Sequence, residues 1–275
     1  MKRVSTVAAI LILTAAAVCG CSRSSQDRQC AEIAASNSYL ECAAGDLMPD
    51  GTRVLRLAEP GMCPGHFDVR FSQINDLRRC RVLLRLDFQK SLDARLGPAV
   101  ESGLQVAEVS LPGGLCVPES YLAACGQTAE ALVAAGLLDR PAAESRLNEI
   151  DHRIRRTVAR CRRQAEPLAG TPVIASTHQE GFCRWLGLRP VATFTAADSA
   201  SVGRIDEAVR AGQQAGVKLV VANLPEGRQL ADAIAERLGA KVVVFGNFPS
   251  VTGGLPSFDS LIISNVESLL EAVSQ

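Results

Sequence analysis

The sequence predicts an α/β protein of two lobes, each built on a parallel sheet, joined by one long helix and with a ligand cleft between them. Three observations carry that prediction. Strand and helix signals alternate through the second half of the chain, the first half repeats the same grammar, and a single long amphipathic segment separates the two.

In the second half, Pro172 to Ser176 reads as a strand and Glu180 to Leu186 as a helix. Ile205 to Ala215 is helical and leads to the strand Lys218 to Ala222. Gln229 to Leu238 is helical and leads to the strand Lys241 to Phe245, and Phe258 to Val273 forms a closing helix. Gly216 and Gly239 stand where two of these helices should stop. Earlier in the chain, Arg53 to Leu57, Arg81 to Leu86 and Leu104 to Val109 read as strands. Gln73 to Arg79, Ser91 to Leu96 and Tyr121 to Ala135 read as helices around them. Between the halves, Leu147, Ile150, Ile154, Val158 and Cys161 recur at helical spacing within Pro141 to Glu166. Pro141 suits a first turn and Pro167 follows the end, so one helix of about 25 residues links the lobes. His152 lies on it and reads as a surface side chain. Clefts beyond the carboxyl ends of parallel strands, at a lobe interface, are where ligands bind.

The amino terminus sets the compartment. Lys2 and Arg3 precede an apolar run from Val4 to Val18, shorter than the about 20 residues that a spanning helix needs. A charged head, a short apolar body and small residues before a break make an export signal. The segment Val18-Cys19-Gly20-Cys21 resembles the bacterial lipobox, which would place a lipid on Cys21 and make the chain an anchored lipoprotein. The alternative is an ordinary cleaved signal. The expected layout is a signal over residues 1–20, a tether over 21–30, an N-terminal lobe over 31–139, the linking helix over 140–168 and a C-terminal lobe over 169–275.

Composition narrows the function. Apolar residues make up 47% of the chain, enough for a substantial core, and 29 basic residues balance 29 acidic ones. That balance offers no electrostatic case for a nucleic-acid partner. Of ten cysteines, Cys19 and Cys21 belong to the signal and anchor. The remaining eight read first as disulfides in an oxidising compartment, with connectivity left open. No Cys-x-x-Cys pair, Gly-x-Ser-x-Gly elbow, phosphate loop or His-Glu-x-x-His helix occurs. Cys183 follows His178 by five residues, which puts the two about 140° apart on a helix, poor geometry for a nucleophile and its base. The expectation is a binding protein rather than an enzyme.

Particular residues then resemble the zinc/manganese solute-binding proteins of ABC importers. Pro172-Val-Ile-Ala-Ser-Thr-His178, followed by Phe182 and Trp185-Leu-Gly-Leu188, is similar to that family's strand ending in a ligand histidine and its following helix. Ala44-Gly45-Asp46, Glu59-Pro60-Gly61 and His66 resemble its first strand and first ligand loop, and Pro118 with Tyr121 its second ligand region. The resemblance implies a monomeric extracytoplasmic receptor that captures a transition-metal ion, zinc or manganese with copper as a further option, and delivers it to a membrane permease. It implies His66 and His178 as ligands from opposite lobes.

Two family ligand positions are altered: the second histidine falls on Gly113 and the carboxylate on Asn247. Cys63 and Cys116, each three residues from a ligand position, offer thiolates in their place, a combination suited to zinc or cuprous copper. The competing expectation is that Cys63 and Cys116 form a disulfide. Asn247, Asp68, Glu180 or water would then complete the shell. The long His/Asp-rich loop of many zinc-specific members is missing. Other readings are a related cleft holding a chelated metal or a non-metal ligand, with Gly113-Gly114 and Gly253-Gly254 making room, and an adhesion or metal-sensing lipoprotein.

Overall fold

The computed structural model describes residues 31–58, 69–195, 202–250 and 256–274. The segment expected to be an export signal, Cys21, Cys63, His66, Asp68 and Gly253-Gly254 lie outside the described residues.

The N-terminal lobe runs β1 (Ile33–Ala35), α1 (Ser38–Leu47), β2 (Val54–Arg56), α2 (Phe71–Leu77), β3 (Val82–Leu86), a kinked 3-10 stretch over Asp87–Arg95, α3 (Gly97–Val100), β4 (Gln105–Val109) and α4 (Pro118–Ala134). The linking helix α5 (Arg140–Ala165) follows. The C-terminal lobe runs β5 (Pro172–Ser176), α6 (Glu180–Trp185), β6 (Arg189–Phe194), α7 (Val202–Ala215), β7 (Leu219–Asn223), α8 (Gln229–Leu238), β8 (Lys241–Phe245) and α9 (Phe258–Ser274). All pairings are parallel, and the strand orders β2-β1-β3-β4 and β6-β5-β7-β8 are the same pattern twice.

Side-chain alternation explains why the sheets are covered on both faces. On β3, Val82, Leu84 and Leu86 join the inner core, whereas Leu83 joins an outer cluster with Leu77, Leu92 and Leu104. On β5 and β7, Val173, Ala175, Leu219 and Val221 point inward, and Ile174, Val220 and Ala222 meet the outer helices α7 and α8. Strands buried on both faces are what an apolar run in a parallel sheet requires. The inner core is continuous through both lobes and takes in α1, α4, α5 and α9.

Two expectations need correction. Cys42, Cys116, Cys125, Cys161 and Cys183 carry free thiols, so the disulfides expected of them are not formed. Ala44-Gly45-Asp46 lies within α1 rather than in a strand, and β1 is the first strand of the lobe. Asn37 caps α1 by accepting from the N–H groups of Tyr39 and Leu40 at 3.0 and 3.1 Å, which turns the chain into a helix directly after three strand residues. The linking helix appears where its pattern placed it. Asp139 caps it by accepting from Ala142 N–H at 2.7 Å, and its 26 residues span about 39 Å.

That helix also carries the joint between lobes. Arg153 donates to both carboxylate oxygens of Asp46 on α1, at 2.8 and 2.5 Å. Its Nε lies 3.0 Å from Asp259 on α9, an ion-pair distance without hydrogen-bond alignment. Asp259 in turn accepts from Thr157 one turn along α5 at 2.5 Å, and Tyr121 of α4 donates to Asp46 at 2.6 Å. Beside this network Phe258 of α9 stacks on Tyr121, with ring centroids 4.1 Å apart, while Tyr39 of α1 meets both rings edge-on.

Replacing Arg153 by Met would leave Asp46 and Asp259 without their cation and is expected to cost about 2 kcal/mol, reduced from the fully buried case because the guanidinium is partly exposed. Phe258→Ala is expected to cost about 3–5 kcal/mol. Urea unfolding of the two variants checks both values, and a loss below about 0.5 kcal/mol in either would show that the joint is not structural.

Candidate functional site

In a parallel sheet whose chain leaves the first strand on one side and returns on the other, the carboxyl ends of the two central strands open a crevice. In the C-terminal lobe these strands are β5 and β7, and in the N-terminal lobe β1 and β3. The crevices face each other. A cleft of about 610 Å³ lies between the lobes, walled by residues that follow β3 and β4 on one side and β5, β7 and β8 on the other.

His178 follows β5 on a single 3-10 turn, begun by Ser176, whose Oγ accepts from His178 N–H at 3.3 Å. Its imidazole is largely exposed to the cleft, and Nε2 lies 3.6 Å from Oε1 of Glu226. Glu226 follows β7 on a turn begun by Leu224-Pro225, and its other oxygen accepts from Ser176 Oγ at 2.6 Å. Ser176 thus holds both partners of the pair. The N-terminal lobe builds a neutral counterpart at the same topological place, where Ser36 Oγ donates to Gln89 at 2.6 Å.

Asn247 follows β8 and also lines the cleft. Its side chain is anchored from beneath by Gln179, a fully buried amide. Gln179 Nε2 donates to Asn247 Oδ1 at 2.7 Å and to Asn223 Oδ1 at 3.1 Å, and approaches the Phe245 and Gly246 carbonyls at 3.3 and 3.4 Å. Two backbone carbonyls can only accept, so they orient the Gln179 amide, which in turn orients both asparagines. The Asn247 oxygen, the atom that would have to ligate a cation, is therefore turned into the protein.

Gly113 lines the cleft on the N-terminal side. Its N–H donates to Ser120 Oγ at 3.0 Å, and a Cβ on Gly113 would lie 2.8 Å from that oxygen. A Cβ on Gly181 of α6 would meet the Gly113 carbonyl at 2.5 Å. The two lobes touch here backbone to backbone, and a side chain at either position must push something aside.

The expectations for Cys116 need correction. Its thiol is free and fully buried, and it donates to the Gly246 carbonyl at 2.9 Å, so it reaches neither the cleft nor a disulfide. Burial pushes its ionisation well above the ordinary thiol range, which disfavours the thiolate that metal ligation requires. Glu180 pairs with Arg184 at 2.7 Å on an exposed surface of α6 and stays out of the cleft wall. His152 is exposed on α5, as its position implied. Phe182 and Trp185 serve packing: the rings stack 5.5 Å apart, and Arg162 of α5 covers Trp185. Glu226 is the site residue that periodicity and motif reading miss, since it lies in a turn with no His or Cys near it in sequence. Among the described residues no three His, Cys, Asp or Glu side chains converge on one point.

No family model and no curated protein sequence matches this chain. Solved structures do. A periplasmic metal-binding protein from Candidatus Liberibacter asiaticus is 14% identical and superposes with a TM-score of 0.75, over 88% of this chain and 98% of that one. Its Mn-bound form gives 0.74 at 14% identity, over 87% and 98%. A zinc-bound deletion mutant of ZnuA gives 0.71 at 15% identity, over 87% and 96%. The chain has the fold of these proteins.

Gly181→Ala is expected to lower stability by about 1–3 kcal/mol, because the group it meets is backbone and cannot rotate away. Thermal unfolding checks this, and an unchanged midpoint would show that the lobes are free to separate at that contact. The buried thiols set a second expectation. Burial pushes Cys42 and Cys183 up to about 12 from an ordinary value of 9.0. Below pH 9 folded and unfolded chains both keep these protons. Between about pH 9 and 12 only the unfolded chain ionises, so stability falls by about 1.4 kcal/mol per pH unit for each such thiol. Urea midpoints across that window should decline steadily, and a flat profile would mean that the thiols are ionised, oxidised or exposed in the folded protein.

Proposed function

We propose that this chain is an extracytoplasmic receptor that captures a transition-metal ion, zinc or manganese, for an ABC-type importer. The observation that carries the proposal is the His178–Glu226 pair at the β5/β7 crevice, with Nε2 and Oε1 3.6 Å apart. Two donors each about 2.0–2.1 Å from a tetrahedral zinc ion stand about 3.3–3.4 Å apart. A small closure of the pair brings both atoms onto one ion. Ser176 holds the second carboxylate oxygen, an outer contact of the kind that fixes metal ligands. The fold shared with periplasmic metal-binding proteins supports the same reading.

His66, from the N-terminal side, is the sequence's candidate for a third ligand. The export signal and lipobox would tether the chain by Cys21 to the extracytoplasmic face of the membrane. There a permease could draw the lobes apart and release the ion. The work of such a receptor is binding: it removes an ion from water, and its own residues undergo no covalent change. Metal ligands must be deprotonated to bind, so the affinity of such a site falls as pH drops.

Metal analysis of the full-length protein by mass spectrometry tests this. Near-stoichiometric metal is expected in the native protein. His178→Ala should lower affinity by about 100-fold and Glu226→Gln by about tenfold, with folding unchanged because His178 is exposed and Gln keeps an oxygen acceptor for Ser176. A folded protein that takes up neither zinc, manganese nor copper(I) would overturn the proposal.

A further inference from the structure

We propose that the cargo is a metal ion already held in a small carboxylate chelate, not a bare ion. This inference rests on the metal-receptor reading and specifies its ligand class.

Three features of the cleft point the same way. The first is the orientation of two amides. Asn223 and Asn247 both line the cleft, and both are nearly fully buried. Gln179 occupies both of their oxygens from below. Their Nδ2 groups have no protein acceptor among the described residues, and neither is sealed off as a buried orphan. A neighbouring pair of N–H donors repels a cation and binds carboxylate or hydroxyl oxygens. These donors sit on the same lobe as His178 and Glu226, on adjacent strand ends, so one ligand can meet both groups at once.

The second is the coordination count. His178 and Glu226 supply two donors, and no third His, Cys, Asp or Glu converges with them among the described residues. Even with His66 as a third donor, a tetrahedral ion held here keeps one position open and an octahedral ion three. A chelator fills what is open with its own oxygens or nitrogens, and its remaining carboxylate oxygens are then acceptors for Asn223 and Asn247.

The third is room and polarity. About 610 Å³ falls in the size range of small-molecule pockets, far beyond what one ion needs. The opposite wall carries Phe88, Leu111 and Leu115, and Phe248 stands beside Asn247. Phe88 is more than half exposed, an unusual setting for a large aromatic. Apolar walls contribute nothing to a bare ion but cover the carbon skeleton of a chelator.

Native mass spectrometry and titration calorimetry of the full-length protein with zinc alone, citrate alone, zinc citrate and zinc bis(L-histidine) test the inference. The expected result is a ternary species in which zinc and chelator are retained together. At least one complex should bind about tenfold tighter than zinc alone or the chelator alone. Asn247→Asp keeps an oxygen for Gln179 and turns a carboxylate oxygen toward the cleft. It should reverse the order, with zinc alone gaining and the chelate losing about tenfold, and Asn223→Asp should act in the same direction. If the native protein binds zinc alone one-to-one and each chelator merely strips it, the chelate inference is overturned and the metal-receptor reading stands. If zinc is taken up in no form, both fail. If citrate alone binds as tightly as its complex, the cleft reads the organic anion and the metal is dispensable, which also overturns the inference.

Discussion

One guanidinium holds the two lobes in register. Arg153, at the middle of α5, is shared between Asp46 of the N-terminal lobe and Asp259 of the C-terminal lobe. A cation between two carboxylates satisfies both only if the helices that carry them stay in place. The neighbouring stack of Phe258 on Tyr121 adds apolar area at the same seam. Because α9 follows β8, this joint also fixes the end of the sheet from which Asn247 projects. The Gly113–Gly181 backbone contact closes the seam on the cleft side. Under the proposed function, a joint of this kind would suit a cleft that closes only modestly on its ligand.

The cleft follows from topology repeated twice. Each sheet places its switch point at the same relative position, and each has a serine at the end of the first strand that reaches across to the element after the third. In the N-terminal lobe that partner is the neutral Gln89, and in the C-terminal lobe it is Glu226. Under the proposed function, the single carboxylate would make the C-terminal crevice the one that attracts a cation, and the neutral pair would keep the facing crevice from competing. The buried Gln179 determines which ends of Asn223 and Asn247 face the cleft. A charged centre flanked by donors is a mixed site, and mixed sites favour ligands that carry both a cation and anionic oxygens.

Much of this was legible in the sequence. The 3.6-residue period of Leu147 to Cys161 and a proline suited to the first turn produced a helix because nothing in the fold opposed them. The apolar runs at 172–176, 218–222 and 241–245 became strands for the same reason. The resemblance singled out His178, which lies at the β5/β7 crevice. The misses have physical causes. β1 is three residues long and gives way at once to a capped helix, so it leaves no alternation to detect. β6 contains Pro190, which argues against a strand, yet β6 is an edge strand, where a missing N–H is tolerated. Glu226 becomes a partner of His178 only because β5 and β7 are neighbours, which no local pattern records. The resemblance put Asn247 at the family's carboxylate position, which suggested an oxygen ligand. The buried amide of Gln179 decides the orientation, and that is a tertiary fact.

Anomalous X-ray diffraction from crystals grown with zinc would test the central claim most directly, since it locates the ion independently of affinity. The account predicts one strong peak in the interlobe cleft, within about 2.0–2.3 Å of His178 Nε2 and a Glu226 carboxylate oxygen. A peak elsewhere in the molecule, or a cleft without one beside an intact His178–Glu226 pair, would contradict it.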